Sequence, residues 1–293
     1  LMPGFRNLRE LSDAQDAGQY LYASFRKRPT QTTASGIWFD ISMSPGNPAP
    51  NYYIGPVGAF TPLKQSTDGG LRHGGSVSPQ RKFLRKLMAL TVTATAAPLT
   101  MVLLDYIGFY PFVDESVTGE QFLDNTQAPT RYADSNGVMM MPVVVAAHSG
   151  AAVPLTVKYT NQDGVADRIS QTVAMGPQSV NGTILHSVAG GSATYPSSGP
   201  FIPLQRGDTG VRSVQSVTVG GVGDVGLFAL VLVKPLATLD LRGIDAPTEV
   251  DFFADCGGSM PAIEDDAYLN FIALPVGNLS GADIHGVIET TFG

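Results

Sequence analysis

Four short sequence blocks recur in the same order in the two halves of the chain, and this repeat limits the folds that are open to it. In the first half the blocks are "FTPLKQ", "RKLMALTV", "VTGEQFLD" and "DSNGVMMMPVVVAAHSGAAVPLTV". In the second half they are "FIPLQR", "RSVQSVTV", "PTEVDFFAD" and "DDAYLNFIALPVGNLSGADIHGVI". Arg85 then corresponds to Arg212, and Asp134 to Asp265. Self-similarity of this kind indicates one structural plan used more than once, so the sequence predicts a tandem duplication.

The duplication sets the predicted domain boundaries. The first copy spans residues 51–166 and the second spans residues 192–293, with residues 167–191 as a linker. Residues 1–50 have no counterpart in the second half and are predicted to form an N-terminal arm.

Two segments lie outside the duplicated pattern. In the arm, apolar residues spaced by three or four positions predict one short helix within residues 8–25, which Gly18 weakens. The first copy also carries an insertion rich in Gly and Ser, residues 66–79. We expect the arm and this insertion to contact other subunits.

The repeated blocks have the patterns of β-strands. The stretches "LTVTAT" and "PLTVKYT" alternate apolar and polar residues, which is typical of a strand with one buried face. The stretches "LTMVLLDYIGFY" and "LFALVLVKP" are short apolar runs rich in β-branched and aromatic residues. The sequence therefore predicts an all-β fold, with a β-sandwich or jelly roll in each copy.

A glycine motif between two of these strands has two interpretations. Gly221, Gly223 and Gly226 spell GxGxxG, the fingerprint of a dinucleotide-binding turn. That turn requires a helix after the third glycine, but "LFALVLVKP" follows, and Pro235 would end a helix there. The corresponding stretch of the first half, "ATAAPLT", lacks the motif. These observations favour a connection between strands, and no cofactor is predicted.

The charge of the chain argues against nucleic acid as a partner. Charged residues make up only 15% of the chain and the net charge is −7, whereas nucleic-acid binders carry a basic surface. One basic cluster is predicted to be a solvated edge or a contact with an acidic neighbour: Arg81, Lys82, Arg85 and Lys86. The single cysteine excludes an intramolecular disulfide. With no apolar run of membrane-spanning length and no signal-peptide pattern, we expect a soluble protein made in a cytosol, with no membrane partner.

No catalytic constellation emerges from the sequence. The four histidines form no HExxH motif, and no GxSxG elbow is present. The densest carboxylate group near a glycine turn contains Asp251, Asp255, Asp265 and Asp266. These acids are predicted to be solvated turn residues, with a cation site as the alternative, since their spacing matches no EF-hand loop. We predict no enzyme; a metal-dependent hydrolase is the alternative that such a cation site would support.

Three stretches carry a resemblance to a known class of proteins. The stretches "LFALVLVKPLATLDL", "DDAYLNFIALP" and "YIGPVGAFTPL", in a chain poor in cysteine, resemble virion structural proteins of tailed bacteriophages. They are most similar to the jelly-roll cement or decoration proteins that clip capsid subunits together. The resemblance implies a non-enzymatic role in the virion, after synthesis in the host cytoplasm, with the major capsid protein as main partner and a homo-oligomeric state. A tail or baseplate component of the same particle is the alternative.

A host-receptor or glycan-binding module is a further alternative of a different class. Glycan-binding sites present exposed aromatic side chains as stacking platforms. The candidates for such a platform are Trp38, Tyr52 and Tyr53. Their burial in a core would remove the support for this alternative.

Overall fold

The computed structural model describes residues 5–149, 152–176, 180–187, 199–221 and 225–293, and β-strands dominate it. The strands are β1 Tyr20–Lys27, β2 Phe39–Asp40, β3 Gly46–Asn47, β4 Thr61–Pro62, β5 Lys82–Thr91, β6 Leu99–Asp114, β7 Gly119–Phe122, β8 Met139–Ser149, β9 Val153–Asn161, β10 Arg168–Ile169, β11 Val173–Met175, β12 Val211–Val219, β13 Val225–Leu241, β14 Thr248–Asp251, β15 Ala262–Ile263, β16 Leu269–Pro275 and β17 Ile284–Phe292. The α-helices of the described residues are α1 Leu8–Asp16 and α2 Gln65–Asp68, and three short 3-10 helices lie at Ile41–Met43, Ala94–Ala96 and Leu185–Ser187. The all-β prediction is confirmed. No helix in the described part of the chain is long and apolar enough to cross a membrane.

The strands form three sheets, and neighbouring strands within each sheet run antiparallel. The central sheet has the order β2-β16-β6-β13-β8, with β4 also paired to β6. Sheet 1 has the order β14-β5-β17-β1-β3, with β15 also paired to β5. Sheet 2 has the order β10-β9-β12-β7, with β11 also paired to β9.

Both outer sheets pack on one face of the central sheet, whose long strands β6 and β13 run under the two of them. Side chains of β6 alternate between the two faces, as the pleat of a strand requires, except where its pairing with β13 shifts register between Tyr106 and Gly108 and between Tyr110 and Val113. On one face, Leu99, Met101 and Leu103 join the core under sheet 1, and Tyr110 and Val113 join the core under sheet 2. On the opposite face, Val102, Leu104, Tyr106 and Phe109 are covered by loop residues that include Tyr53 and Leu63. The molecule is therefore two sandwiches that share one sheet.

The two predicted domains are interleaved in this arrangement. Strand β5 of residues 51–166 lies between β14 and β17 of residues 192–293. Conversely, β12 of the second segment lies between β7 and β9 of the first. Each outer sheet thus contains strands of both segments, and the predicted boundaries do not separate the sandwiches. Backbone hydrogen bonds can form between any two strands with suitable apolar patterns. The pattern of a strand therefore does not predict which strand it will pair with.

The N-terminal arm is part of sheet 1. The Asn7 side chain accepts a hydrogen bond from Glu10 N (3.0 Å) at the start of α1, and Gly18, at φ 76°, follows its end. Beyond this glycine, β1 pairs with β17 along its whole length. The predicted helix is therefore wrong after Asp16. Alternate residues of the segment, including Ala23 and Phe25, face the core, and burying them as a strand outweighs the helical spacing.

Two other predicted connections also differ in structure. The predicted linker, residues 167–191, contributes β10 and β11, which pair with β9 in sheet 2. The glycine motif is predicted to connect two strands, but β13 already begins at Val225, so Gly226 lies within the strand; residues 222–224 of the motif lie outside the described residues.

Candidate protein-contact surface

An apolar loop, residues 51–60, presents large hydrophobic side chains to solvent. Tyr52 is 51% exposed, and Ile54 and Val57 are each 76% exposed. Between them, Tyr53 is fully buried on the loop-covered face of the central sheet. Gly55, Pro56 and Gly58 favour turns, so this segment is a loop and not a regular strand.

The buried Tyr53 anchors this loop. Its backbone is in the left-handed region (φ 54°), which costs a tyrosine about 1–3 kcal/mol and persists only when other contacts hold it. Its hydroxyl donates to Asp40, which also accepts from the Tyr106 hydroxyl (2.7 Å) and from Ser42 N (2.9 Å). Burial raises the pKa of Asp40, although the hydrogen bonds of Tyr53 and Tyr106 oppose this rise. A buried hydrogen-bond network centred on the Asp40 carboxylate therefore holds the loop in place through Tyr53.

Backbone hydrogen bonds fix both ends of the loop. Asn51 N donates to Ser42 O (3.1 Å), and Gly58 N donates to Pro111 O (3.1 Å). Gly58 O in turn accepts from Asp124 N (2.9 Å), two residues after Phe122. Phe122, on the edge strand β7, is 77% exposed. We call Tyr52, Ile54, Val57 and Phe122 the apolar surface.

A shallow cavity lies at one side of the apolar surface. Its volume is about 270 Å³, and the residues that line it include Tyr52, Ile54, Thr61, Leu63, Asp68 and Phe109. Exposed large apolar side chains on a loop held in place are typical of a surface that binds another protein. Sequence reasoning did not single out Ile54, Val57 or Phe122. The signal that could have found the first two is the apolar run "YYIGPV", whose glycine and proline indicate a turn rather than a core strand.

The aromatic residues proposed for glycan stacking are not grouped on the surface. Tyr53 is buried, and Trp38 is partly buried and packs against the same core as Tyr53. Of the three candidates, Tyr52 alone presents a largely exposed ring. Two of the three side chains that would support glycan binding therefore serve the core.

The four candidate cation ligands are used in contacts within the chain. Asp266 accepts from Ser66 N (2.7 Å) and Ser66 Oγ (2.8 Å), and Asp265 accepts from Ser76 Oγ (2.5 Å). Desolvation raises the pKa of Asp266, but the Ser66 hydrogen bonds outweigh it, so this pKa is lowered. Asp251 accepts from Phe253 N (3.0 Å), and Asp255 accepts from Asp251 N (2.9 Å). Among the residues that the structure describes, no three His, Cys, Asp or Glu side chains are placed to share a metal ion.

The same contacts place the Gly/Ser-rich insertion on its own chain. Residues 66–79 are hydrogen-bonded to residues 265–269 through Ser66, Ser76 and the bond from Leu71 N to Leu269 O (2.8 Å).

Residues of the basic cluster form ion pairs with acidic residues of the same chain. Lys86 contacts Glu249 (2.8 Å), and Arg85 lies near Asp251 (3.6 Å) and Glu289 (3.8 Å).

A buried histidine within the insertion, His73, links it to the rest of the chain. His73 Nε2 lies 2.8 Å from Ala267 O, an atom that only accepts, so Nε2 carries the proton. His73 Nδ1 then accepts from the Lys82 ammonium, 3.1 Å away. Lys82 also donates to Gly75 O (2.8 Å) and lies 3.7 Å from Asp265. Burial and the Lys82 charge lower the pKa of His73 to about 4.

This arrangement predicts acid sensitivity. Folded His73 binds a proton more weakly than the unfolded chain does, so its contribution to stability is complete above about pH 6.5 and falls as the pH drops toward about 4. We expect the free energy of unfolding to fall by up to about 1.4 kcal/mol per pH unit in this window. In urea denaturation at about pH 7 and about pH 4.5, H73Q should reduce this pH dependence. H285Q is the control, and an unchanged slope in H73Q would contradict the assignment.

Comparisons with known proteins give a weak structural likeness and no sequence match. No protein-family model matches the chain, and no curated protein matches its sequence. Among solved structures, the VP2 subviral particle of infectious bursal disease virus aligns at 10% identity with a TM-score of 0.12. The alignment covers 93% of this chain and 64% of that one, so this chain spans less than two thirds of that protein. A likeness at this level carries no argument about fold or function.

Proposed function

We propose that this chain is a structural protein of a bacteriophage virion that binds and bridges neighbouring subunits. The observation that carries the proposal is the apolar surface, in which Ile54 and Val57 are each 76% exposed on a loop anchored by Tyr53. Because the loop is already held in its exposed form, binding need not order it, and preorganisation of this kind favours affinity.

The repeated strand order supports a bridging role. We propose that residues 51–166 and 192–293 arose by duplication and exchanged one strand each. If β5 corresponds to β12, β14 to β7 and β17 to β9, the order β14-β5-β17 of sheet 1 becomes the order β7-β12-β9 of sheet 2. The exchange joins two sandwiches into one unit, which presents two related but different outer faces to two neighbours.

Within this role, capsid cement or decoration is the assignment we favour, with the major capsid protein as partner. The phage-like stretches support it, as does the low charged fraction of 15%, since a surface covered by neighbours requires fewer charges than a solvated one. A tail or baseplate position would use the same surface. Electron microscopy of the particle distinguishes the two, because density on the capsid shell supports cement and density on the tail contradicts it.

The apolar surface is tested by complementation. A phage lacking the gene is grown in cells that express the wild-type chain or I54D/V57D, and the chain in purified particles is quantified by mass spectrometry. Carboxylates in an apolar contact must be desolvated, so we expect incorporation of I54D/V57D to fall at least about tenfold while its thermal unfolding is unchanged. The matched control is V165D, at a residue 51% exposed on another turn. Absence of the wild-type chain from particles would overturn the virion role, and normal incorporation of I54D/V57D would overturn the surface.

A further inference from the structure

On one side of β1, at the edge of sheet 1, no described strand pairs with six of its eight residues. Strand β17 pairs with β1 along its whole length on one side. On the other side, β3 pairs only with Arg26 and Lys27. No other described strand pairs with residues 20–25 on that side. An open edge presents unpaired N–H and C=O groups to any chain that can add a strand.

The backbone groups that face this open side belong to the even-numbered residues. Asn47 Nδ2 donates to Ser24 O (3.0 Å), and Arg28 N donates to Pro45 O (2.9 Å), so both residues face β3. In an antiparallel strand the two polar groups of a residue point to the same side, and the side alternates from residue to residue. Tyr20 and Tyr22 therefore also direct their N–H and C=O groups away from β17.

This edge lacks the devices that protect other strand edges of the described chain. Natural sheets block free edges with charges, proline, bulges or a covering segment. Strand β14 carries Glu249 and Asp251, and the edge of β8 is covered through the bond from Val144 N to Thr183 O (2.9 Å). The segment "YLYAS", residues 20–24, has no charge and no proline, and its pairing with β17 shows no bulge.

We propose that a second copy of this chain pairs with this edge, β1 against β1 in antiparallel orientation, across a two-fold axis at Tyr22. The edge is its own complement in this register. Tyr22 exchanges backbone hydrogen bonds with the second copy's Tyr22, and Tyr20 O accepts from the second copy's Ser24 N, whereas Ser24 O keeps its bond from Asn47 Nδ2. A two-fold contact of this kind uses one patch twice, and no charged residues of the paired segments oppose one another.

The exposed side chains of the outer face fit the same pairing. Tyr22 is 57% exposed and borders a shallow cavity of about 500 Å³ whose lining includes Met88 and Val287. Aromatic side chains opposite each other on neighbouring strands stabilise a sheet, and here the second copy's Tyr22 also covers apolar surface. The result is a continuous sheet across the dimer. This inference is separate from the virion role, because the apolar surface takes no part in it.

The test is sedimentation of the purified chain over about 1 to 300 µM, since a pairing this short falls below the usual size of a stable interface and implies a micromolar Kd. Y22P removes the N–H at the axis and leaves the ladder to β17 intact, because that N–H faces away from β17. S24K places a charge beside the pairing. We expect both variants to raise the dimer Kd at least about tenfold.

The matched control is F122P. Phe122 lies on the edge strand β7, and Leu123 N donates to Gln215 O (2.9 Å), so the Phe122 N–H also points away from the partner strand. F122P should leave the dimer unchanged. A monomeric wild type at the highest concentration, or Y22P and S24K dimers as tight as the wild type, would overturn the proposal. A weakened F122P dimer would overturn it in favour of the β7 edge, and if Y22P fails to fold, S24K decides. If I54D/V57D still forms the dimer but does not enter particles, the result supports the apolar surface proposed for the virion role and does not count against the dimer.

Discussion

Removal of residues 1–27 is expected to abolish cooperative folding. This deletion takes β1 out of sheet 1, exposes the edge of β17 and removes Phe25 from the core, where its ring packs against the tilted ring of Phe271 at 4.7 Å between centroids. Loss of one buried phenylalanine costs about 3–5 kcal/mol, which is a large part of the total stability of a domain. Loss of the strand should cost more. The expected result is an aggregating chain without a cooperative transition in thermal or urea unfolding.

A shorter deletion provides the control. Removal of residues 1–17 takes away α1 and leaves β1 and its ladder intact, so cooperative unfolding should persist with a lower midpoint.

The buried ammonium of Lys27 is a further reason why loss of β1 should be destabilising. It donates to Ser44 O (2.9 Å) and Pro48 O (2.8 Å) and ties β1 to the loop that follows it. A folded protein lacking residues 1–27 would contradict this account and restore the arm as a separate contact element.

The second large effect is expected at a buried ion pair between Arg131 and Asp105, which lies on the central strand β6. Arg131 binds Asp105 through Nε to Oδ2 (2.9 Å) and Nη2 to Oδ1 (2.7 Å), and it also donates to Leu63 O (2.8 Å). The Asp105 carboxylate is completely buried and also accepts from Tyr268 N (3.0 Å). R131M would leave this carboxylate without its guanidinium, and we expect a loss of about 3–5 kcal/mol in the free energy of unfolding.

The pH dependence identifies the cause of that loss. Burial raises the pKa of Asp105, and Arg131 opposes the rise, so R131M raises this pKa further. A carboxyl group with a raised pKa in the folded state stabilises that state as the pH falls. The gap between R131M and the wild type in urea denaturation should therefore narrow at low pH. R26M, at an exposed pair with Asp283, is the control and should change the midpoint little. A loss for R131M no larger than that of R26M would contradict the assigned role.

The strand elements were predictable because their signals are local. The alternating stretch "PLTVKYT" forms β9, and the apolar runs form β6 and β13. The spacing of apolar residues indicates whether one face or both faces of a strand are buried. The helix α1 was predicted for the same reason. Its end was misplaced because Gly18 and the strand pattern after it compete with helical spacing over residues 20–25.

The surface residues were harder to predict. Tyr52 and Tyr53 are identical neighbours in sequence, but one is exposed and the other is buried against Asp40. That difference depends on the backbone direction at Tyr53 and on a carboxylate that comes earlier in the chain. The acids of residues 251–266 show the same dependence on distant partners, because Ser66 and Ser76 of the insertion use two of them.

The sequence by itself determined that the chain is a β protein and that the apolar segment containing residues 227–235 is a strand. These features depend on residue spacing and backbone preference within short windows. Tertiary structure alone decided that the halves interleave, that the arm supplies a strand, and which apolar side chains face solvent. Backbone hydrogen bonds between strands carry little sequence information, so partner choice is settled only when all sheets pack together and compete to bury the same apolar surface.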